Sequence, residues 1–388
     1  MVVLTGYETV KEALVNQADV FSDRPSVPIF EDITKGFGLV FARGEHWKAM
    51  RRFTLSTLRD YGMGGILTAT VSNIIVSILL GKRYEYEDAT FLRLLKILQE
   101  NIHLLGSPAV LLYNLFPKLG FLLGAHKTIV KNQKEMNDFM HTIFIEYLQD
   151  LDENDQRNFI ESFLVRQKQE NMKMAHGGYF HNENLIGVVD DLFGAGTDTI
   201  GNTLRWAILL MMKYPEIQSK VQAEIARQIG DIQPRTDHQA KMPYTDAVLH
   251  ECQRFANIVP SNLPHATTMD ITFKNFFIPK GMYIVPLLTS VLHDESQWEK
   301  PHEFYPEHFL DSEGKFVKRD AFMPFSAGRR VCAGENLAKM ELFLFFTNLL
   351  QRFTFQPPSG TSKDDLDLTP VVGITSISMP YKTCAMVH

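Results

Sequence analysis

The ten residues Phe325-Ser326-Ala327-Gly328-Arg329-Arg330-Val331-Cys332-Ala333-Gly334 constrain this chain more than any other stretch. A cysteine stands between two glycines, with Arg330 two residues before it and Phe325 seven before it. From Glu335 through Leu350 the apolar positions recur at helical spacing. A thiolate just ahead of a helix N-terminus is favoured, because unpaired backbone N–H groups and the helix dipole stabilise negative charge there. Gly328 and Gly334 let the backbone run close to something flat, and Arg330 sets a cation beside it. The bland alternative for Cys332 is a small buried apolar residue. The fixed spacing of Phe, two Gly, Arg and Cys argues instead for a loop that holds a planar, anionic cofactor through its sulfur, and haem fits.

A chain of 388 residues can bury a large core. Its formal charge of -6 argues against a nucleic-acid binder. Cys252, Cys332 and Cys384 are too few and too scattered for a disulfide framework or a zinc cluster, which suggests a reducing compartment. No uninterrupted apolar run spans a bilayer; the nearest, Leu104 to Leu123, is broken by Pro108, Pro117 and glycines. Met1-Val2-Val3-Leu4 leads into a polar helix rather than a signal-type leader, so the residues alone read as soluble.

Helical patterns cover Glu8–Gln17, Glu45–Asp60, Ile66–Leu80, Ala89–Leu105, Ala125–Leu151, Asn184–Tyr214 and Pro215–Gly230. Phe21–Gly44 reads as loop, and Gln167–Asn184 as an exposed connection. Ile271–Phe277 and Met282–Leu288, flanking Ile278-Pro279-Lys280-Gly281, read as one hairpin. The last strands are expected near Val371–Ser378 and Tyr381–Val387. The fold class is mainly α with small β-sheets.

Three further groups of residues stand out. The long helix from Asn184 has the centre Gly194-Ala195-Gly196-Thr197-Asp198-Thr199, where glycines and a buried Asp-Thr pair weaken a helix unless they have a task. A Thr199 hydroxyl bonded to the Ala195 carbonyl would loosen the helix and open a groove for a diatomic ligand and water; a Gly-rich crossing of two helices is the alternative. Glu251 and Arg254 lie three apart on one helix face, with Tyr305-Pro306-Glu307-His308-Phe309 downstream. Arg254 stands where a zinc-protease motif would need its second His. Trp47 and Arg51 share a face four residues apart, suited to a carboxylate or simply to a core and its rim.

The cysteine loop fits F-x-x-G-x-R-x-C-x-G and resembles the haem-binding loop of the cytochrome P-450 superfamily. Gly194–Thr199 resembles its distal-helix motif, with Ile200 departing from the usual hydroxyl. Glu251, Arg254 and His308 resemble its E-x-x-R and P-E-R-F elements, a structural lock behind the loop, with His308 in place of arginine. All four motifs occur in the family's order, from about residue 2 to the C-terminus. Met323–Gly328, Met242–Ala247 and Leu263-Pro264-His265 are similar to family 2 members, and the C-terminal third is similar to fish-type 2K members.

The resemblance implies a triangular helical prism, a single domain over residues 1–388, with haem b between the distal helix and the cysteine loop. Cys332 would be the axial ligand of the iron. Arg330, Trp47, Arg51 and His265 would surround the propionates, with Lys35 where a fourth contact is usually arginine. Phe325, Gly328, Gly334 and Ala195 would complete the cofactor site, and Asp198 and Thr199 would relay protons. Substrate would lie against the Pro28–Phe41 loop, Asp191, Gly194, Ala195, Val259 and Ile374. The implied activity is a monooxygenase that inserts one atom of O2 into apolar substrates: xenobiotics, fatty acids or steroids. An NADPH-cytochrome P-450 reductase would supply electrons, with cytochrome b5 as a further partner, at the cytoplasmic face of the endoplasmic reticulum membrane. Lys48, Arg52, Arg59, Arg329 and Lys339 are candidates for docking it, with a plain charged surface as the alternative.

Two departures are expected from the family. The membrane anchor and first strands are absent before Met1, which would leave the Ile271–Leu288 hairpin without a strand partner. Tyr61-Gly62-Met63-Gly64 runs almost directly into the helix at Ile66, where the family has one more helix. Both suggest a shortened chain that retains haem poorly. A peroxide-driven or isomerase member, or a non-catalytic remnant, would be the rival readings.

Overall fold

Caps written into the sequence set where many helices begin. The computed structural model describes residues 1–60, 69–122, 124–172 and 178–388, so the Tyr61–Gly64 gap, Ile66–Thr68 and Gly177 lie outside the described residues. β1 (Val2–Leu4) and α1 (Tyr7–Lys11) open the chain, and α1 widens into a π-helical turn over Glu12–Asn16. α2 (Pro28–Thr34) lies inside the stretch expected to be loop. Its Pro28 occupies the first turn, where a missing N–H removes no helical bond. α3 (Gly44–Asp60), α4 (Ala69–Leu80) and α5 (Ala89–Leu105) follow. Asp88 caps α5 by accepting from the Phe91 N–H at 2.9 Å. Ser107 and Pro108 start α6 (Pro108–Leu115) in a stretch whose prolines suggested a break. α7 (Ala125–Gln149) leads to α8 (Phe159–Asn171), capped by Asn158, which occupies the start of the expected Gln167–Asn184 connection.

α9 (Asn182–Lys213) is α-helical throughout its 32 residues, Gly194–Thr199 included. Gly196 packs so closely on α4 that a Cβ would come within 2.8 Å of Ile75 Cδ1, and this packing supports the helix that the glycine weakens. α10 (Pro215–Gln228) then caps α11 (Pro243–Ala256): the Glu224 carboxylate accepts from Tyr244 N–H at 3.1 Å and Thr245 N–H at 2.7 Å.

The hairpin register differs from expectation. β3 (Ile271–Phe273) and β4 (Phe276–Ile278) turn at Lys274 and Asn275, both left-handed (φ 48° and 66°), so the tight turn falls before Pro279-Lys280-Gly281. β5 (Tyr283–Pro286) is thereby released to pair in parallel with β1 and antiparallel with β2 (His265–Ala266). The strand expected to lack a partner has one. It is the β3–β4 pair that stays two-stranded, with Phe276 and Phe277 exposed. After α12 (Thr289–Leu292) and α13 (Glu335–Arg352), β6 (Phe353–Gln356) pairs with β9 (Cys384–Val387), and β7 (Pro370–Val372) with β8 (Ser376–Ser378).

These elements form two compact units, Met1–Ser22 with Thr199–His388, and Asp23–Asp198. Both are mainly helical, and among the described residues the small sheets belong to the first. A core of the first unit gathers Leu4, Val10, Leu14, Ile284, Trp298 and Phe309. One in the second gathers Ile29, Val110, Tyr113 and Ile129. Each such side chain contributes about 1.5–3 kcal/mol when withdrawn from water. Among the described residues no helix is long and apolar enough to cross a membrane.

Candidate functional site

The cysteine loop is a tight chain reversal in the first unit. Ser326 (φ 62°) and Gly328 (φ 72°) turn the backbone, and the Cys332 N–H closes the loop on the Phe325 carbonyl at 3.0 Å. Cys332 is exposed just ahead of α13, whose first turn begins with the Ala338 N–H donating to the Gly334 carbonyl at 2.8 Å. Cys252 is the opposite case: it is fully buried, and burial, then Glu251, push its thiol pKa well above the ordinary value. A sulfur ligand needs exposure and a helix N-terminus, and of these two cysteines only Cys332 has them.

A brace that the sequence did not reveal supports this loop. A Cβ on Gly328 would lie 1.7 Å from the Leu14 carbonyl oxygen in the π-helical turn, so the glycine is demanded by the protein's own backbone. Arg329 forms an ion pair with Asp19, and the Arg330 Nε donates to the Ser22 carbonyl at 2.7 Å. Arg330 is buried. His265, also buried, places Nδ1 2.6 Å from the Phe21 carbonyl, which makes Nδ1 the protonated nitrogen. Segment 14–22 therefore holds two of the residues expected at the cofactor's carboxylates, Arg330 and His265. No periodicity could have shown this, since the Arg330 and His265 contacts join residues 308 and 244 positions apart in the chain. The Lys339 ammonium lies 5.6 Å from the centre of the Phe325 ring and 2.7 Å from Glu335.

Thr199 belongs to the first unit, where its carbonyl accepts from the Thr203 hydroxyl at 2.7 Å. Ala195 and Asp198 belong to the second. There Trp47 is buried in α3 and the Arg51 guanidinium lies 5.8 Å from its ring centre, so the two do share a face. Lys35 ends α2 in the left-handed conformation (φ 52°).

The lock is assembled in full. Arg254 Nε and Nη2 each donate to a different Glu251 oxygen at 2.8 Å, and its remaining N–H groups go to the Leu292, Pro301 and Glu303 carbonyls. Glu251 also accepts from the Tyr305 N–H at 2.8 Å and from His308 Nδ1 at 3.2 Å. His308 Nε2 accepts from the Lys300 N–H at 3.1 Å, so the imidazole is neutral and protonated on Nδ1.

The Asp191 Oδ2 accepts from the Leu39 and Val40 N–H groups at 2.6 and 2.8 Å. Gly187 lies one turn away, where a Cβ would come 2.7 Å from Gly38 N, so α9 clasps the 38–40 backbone directly. Among the proposed docking cations, Arg329 pairs with Asp19, Lys48 with Glu45 and Lys339 with Glu335; the Arg59 side chain lies outside the described residues. Val259 and Ile374 sit on neighbouring segments, because the Ser376 N–H donates to the Ile258 carbonyl at 2.8 Å.

The family model described as Cytochrome P-450 matches residues 1–67 and 61–385. The two matched stretches meet and overlap at residues 61–67, where an internal shortening is expected. Cytochrome P-450 2K1 of Oncorhynchus mykiss is 49% identical over 418 aligned positions, covering 100% of this chain and 82% of that protein. Cytochrome P-450 2K6 of Danio rerio is 47% identical, with 100% and 82% covered. Cytochrome P-450 2C5 of Oryctolagus cuniculus is 45% identical, with 99% and 84% covered. The alignment to the first is longer than the chain's 388 residues, so that relative carries positions this chain lacks.

Proposed function

From the premise that the chain belongs to the cytochrome P-450 family of haem-thiolate monooxygenases, and is 2K-like within family 2, we propose how its residues serve that activity. The supporting observation is the exposed Cys332 beside buried Arg330 and His265, all in one braced region. This donor set fits haem b: a soft anionic sulfur for iron, and two cations for carboxylates. When bound, the haem supplies oxygen activation, which thiolate ligation favours.

The chain's own contributions are specific. The N–H groups at the start of α13 stabilise Cys332 as thiolate. Arg330 stays fixed by the Ser22 carbonyl while its guanidinium meets a carboxylate. His265 already donates Nδ1–H to Phe21, so donating Nε2–H to a carboxylate requires the imidazolium. Trp47, Arg51, Ala195, Phe325 and Gly334 are assigned to the cofactor by motif correspondence. The Asp198 carboxyl and Thr199 hydroxyl would hand protons to the substrate O2. The other substrate is an apolar small molecule of the xenobiotic, fatty-acid or steroid kind. Electrons come from an NADPH-dependent flavoprotein reductase at the cytoplasmic face of the endoplasmic reticulum, with cytochrome b5 as a second donor.

The test is the carbon-monoxide spectrum of the reduced, haem-reconstituted chain. A red-shifted Soret band of thiolate type is expected, and Cys332→Ser should abolish it. An identical band in the serine variant would remove the assignment.

A further inference from the structure

We propose that Asp190 and Gln133 form a polar anchor for substrates that carry a protonated amine on an apolar body. The inference rests on the monooxygenase reading for the fate of the bound molecule, and on the second unit alone for its binding. Gln133 of α7 is only 7% exposed. Its Nε2 lies 3.2 Å from Asp190 Oδ2 and 3.0 Å from Asn137 Oδ1, and donates one proton to each. A carboxylate only accepts, so turning the amide over would set oxygen against oxygen. Both amide protons are thereby spent. Gln133 Oε1 and Asp190 Oδ1 have no hydrogen-bond partner among the described residues. Neither oxygen is fully enclosed, and Asp190 is half-buried, so the pair opens on accessible space. It presents two acceptors there and no donor. A ligand's carboxylate finds nothing to bind, whereas an ammonium supplies both the N–H and the opposite charge.

The neighbouring groups are already committed. Asn132 gives its two amide protons to Glu100 and Asn101 of α5, at 3.2 and 3.0 Å. Asp191 accepts from the Leu39 and Val40 N–H groups. Asp190 is left with one bond and no cation. Burial pushes its pKa up to about 6 and Gln133 pulls it back, with no basic side chain contributing. It is therefore ionised at pH 7.4, at a desolvation cost that a bound cation relieves.

α9 sets the direction in which a ligand extends. Asp190, Gly194 and Asp198 follow one another at intervals of four, on one face of the helix. Gly194 has no side chain, and Leu98 Cδ1 of α5 lies 3.4 Å from where a Cβ would stand. An apolar body held by its amine at Asp190 thus runs past a bare stretch of helix and a leucine. Asp198 lies about 12 Å further along the axis. The anchor suits a long molecule whose charged end is remote from its reacting end.

The experiment is equilibrium dialysis of the full chain after haem reconstitution, at pH 7.4. The probes are N,N-dimethyldodecylammonium, methyl undecyl ether and dodecanoate, each below its micellar concentration. The ammonium should bind about tenfold or more tighter than the ether, and dodecanoate most weakly. Asp190→Asn keeps an acceptor for Gln133 and turns a donor to the open side. It should erase the ammonium's advantage and improve dodecanoate, which separates the anchor from the general pull of a chain of net charge -6. An unchanged order of affinities in Asp190→Asn would overturn the proposal. So would equal binding of ammonium and ether by the unaltered protein, a measurement that needs no variant to fold. The carbon-monoxide band of the same samples reports on the monooxygenase reading separately: a missing band with the ammonium preference intact would remove that reading and leave the anchor.

Discussion

The Arg254 guanidinium meets the Glu251 carboxylate fork to fork, both side chains fully buried, with each of two N–H···O contacts at 2.8 Å. With the Leu292, Pro301 and Glu303 carbonyls, all five guanidinium N–H groups are satisfied. Removing one partner strands the other charge without water. Arg254→Met should therefore cost about 3–5 kcal/mol in urea unfolding, and Glu251→Gln a comparable amount. Arg254→Lys should not rescue, since an ammonium cannot reach carboxylate and carbonyls in the same plane. The double variant should cost less than the two single losses added together.

Gly328→Ala tests the brace. The added methyl would overlap the Leu14 carbonyl at a left-handed position, so both sterics and backbone conformation oppose it. A loss of at least about 2 kcal/mol is expected. Gly360→Ala is the control: its φ is also positive, but nothing lies within 4 Å of a Cβ there, so only the conformational part should register.

Glu341 in α13 is buried, and neither carboxyl oxygen has a hydrogen-bond partner among the described residues. Burial pushes its pKa up to about 8. A carboxyl raised in the folded state favours folding below its unfolded pKa, and that contribution is lost as pH rises through about 8. Unfolding free energies measured from pH 5 to 9 should fall, and Glu341→Gln should flatten the fall by roughly 3–5 kcal/mol. An equal slope in the variant would show that the carboxyl finds a partner on ionising.

Thr199→Ala tests the proton relay. The product formed per reducing equivalent should drop several-fold and hydrogen peroxide should rise, with the helix intact because the Thr203 hydroxyl still bonds the position-199 carbonyl. Unchanged coupling would count against the hydroxyl.

What the sequence disclosed was chemistry carried by side chains at short spacing. Glu251 and Arg254 share a helix face by arithmetic, as do Trp47 and Arg51, and the cysteine loop is legible in ten residues. What stayed hidden was made by contacts between distant segments. Leu14, Asp19, Phe21 and Ser22 carry no signal of their own, yet they fix Gly328, Arg329, His265 and Arg330. α2 was missed because prolines and glycines crowd Phe21–Gly44, although Pro28 is at home in a first turn. The hairpin was misplaced because Pro279-Lys280-Gly281 is the stronger turn signal on paper, while Lys274-Asn275 makes the turn. Sequence also cannot show that Asp191 engages the Leu39 and Val40 amides.

The contrast between Cys252 and Cys332 has a practical corollary. A maleimide or iodoacetamide reagent will leave the sulfur at 252 untouched while the fold persists, since that thiol is neither accessible nor ionised. Position 332 should label readily in apoprotein and resist once iron is attached, over a partly exposed Cys384 background. Counting alkylated sulfurs by mass spectrometry would thus gauge occupancy in a preparation too dilute or too coloured for optical assay.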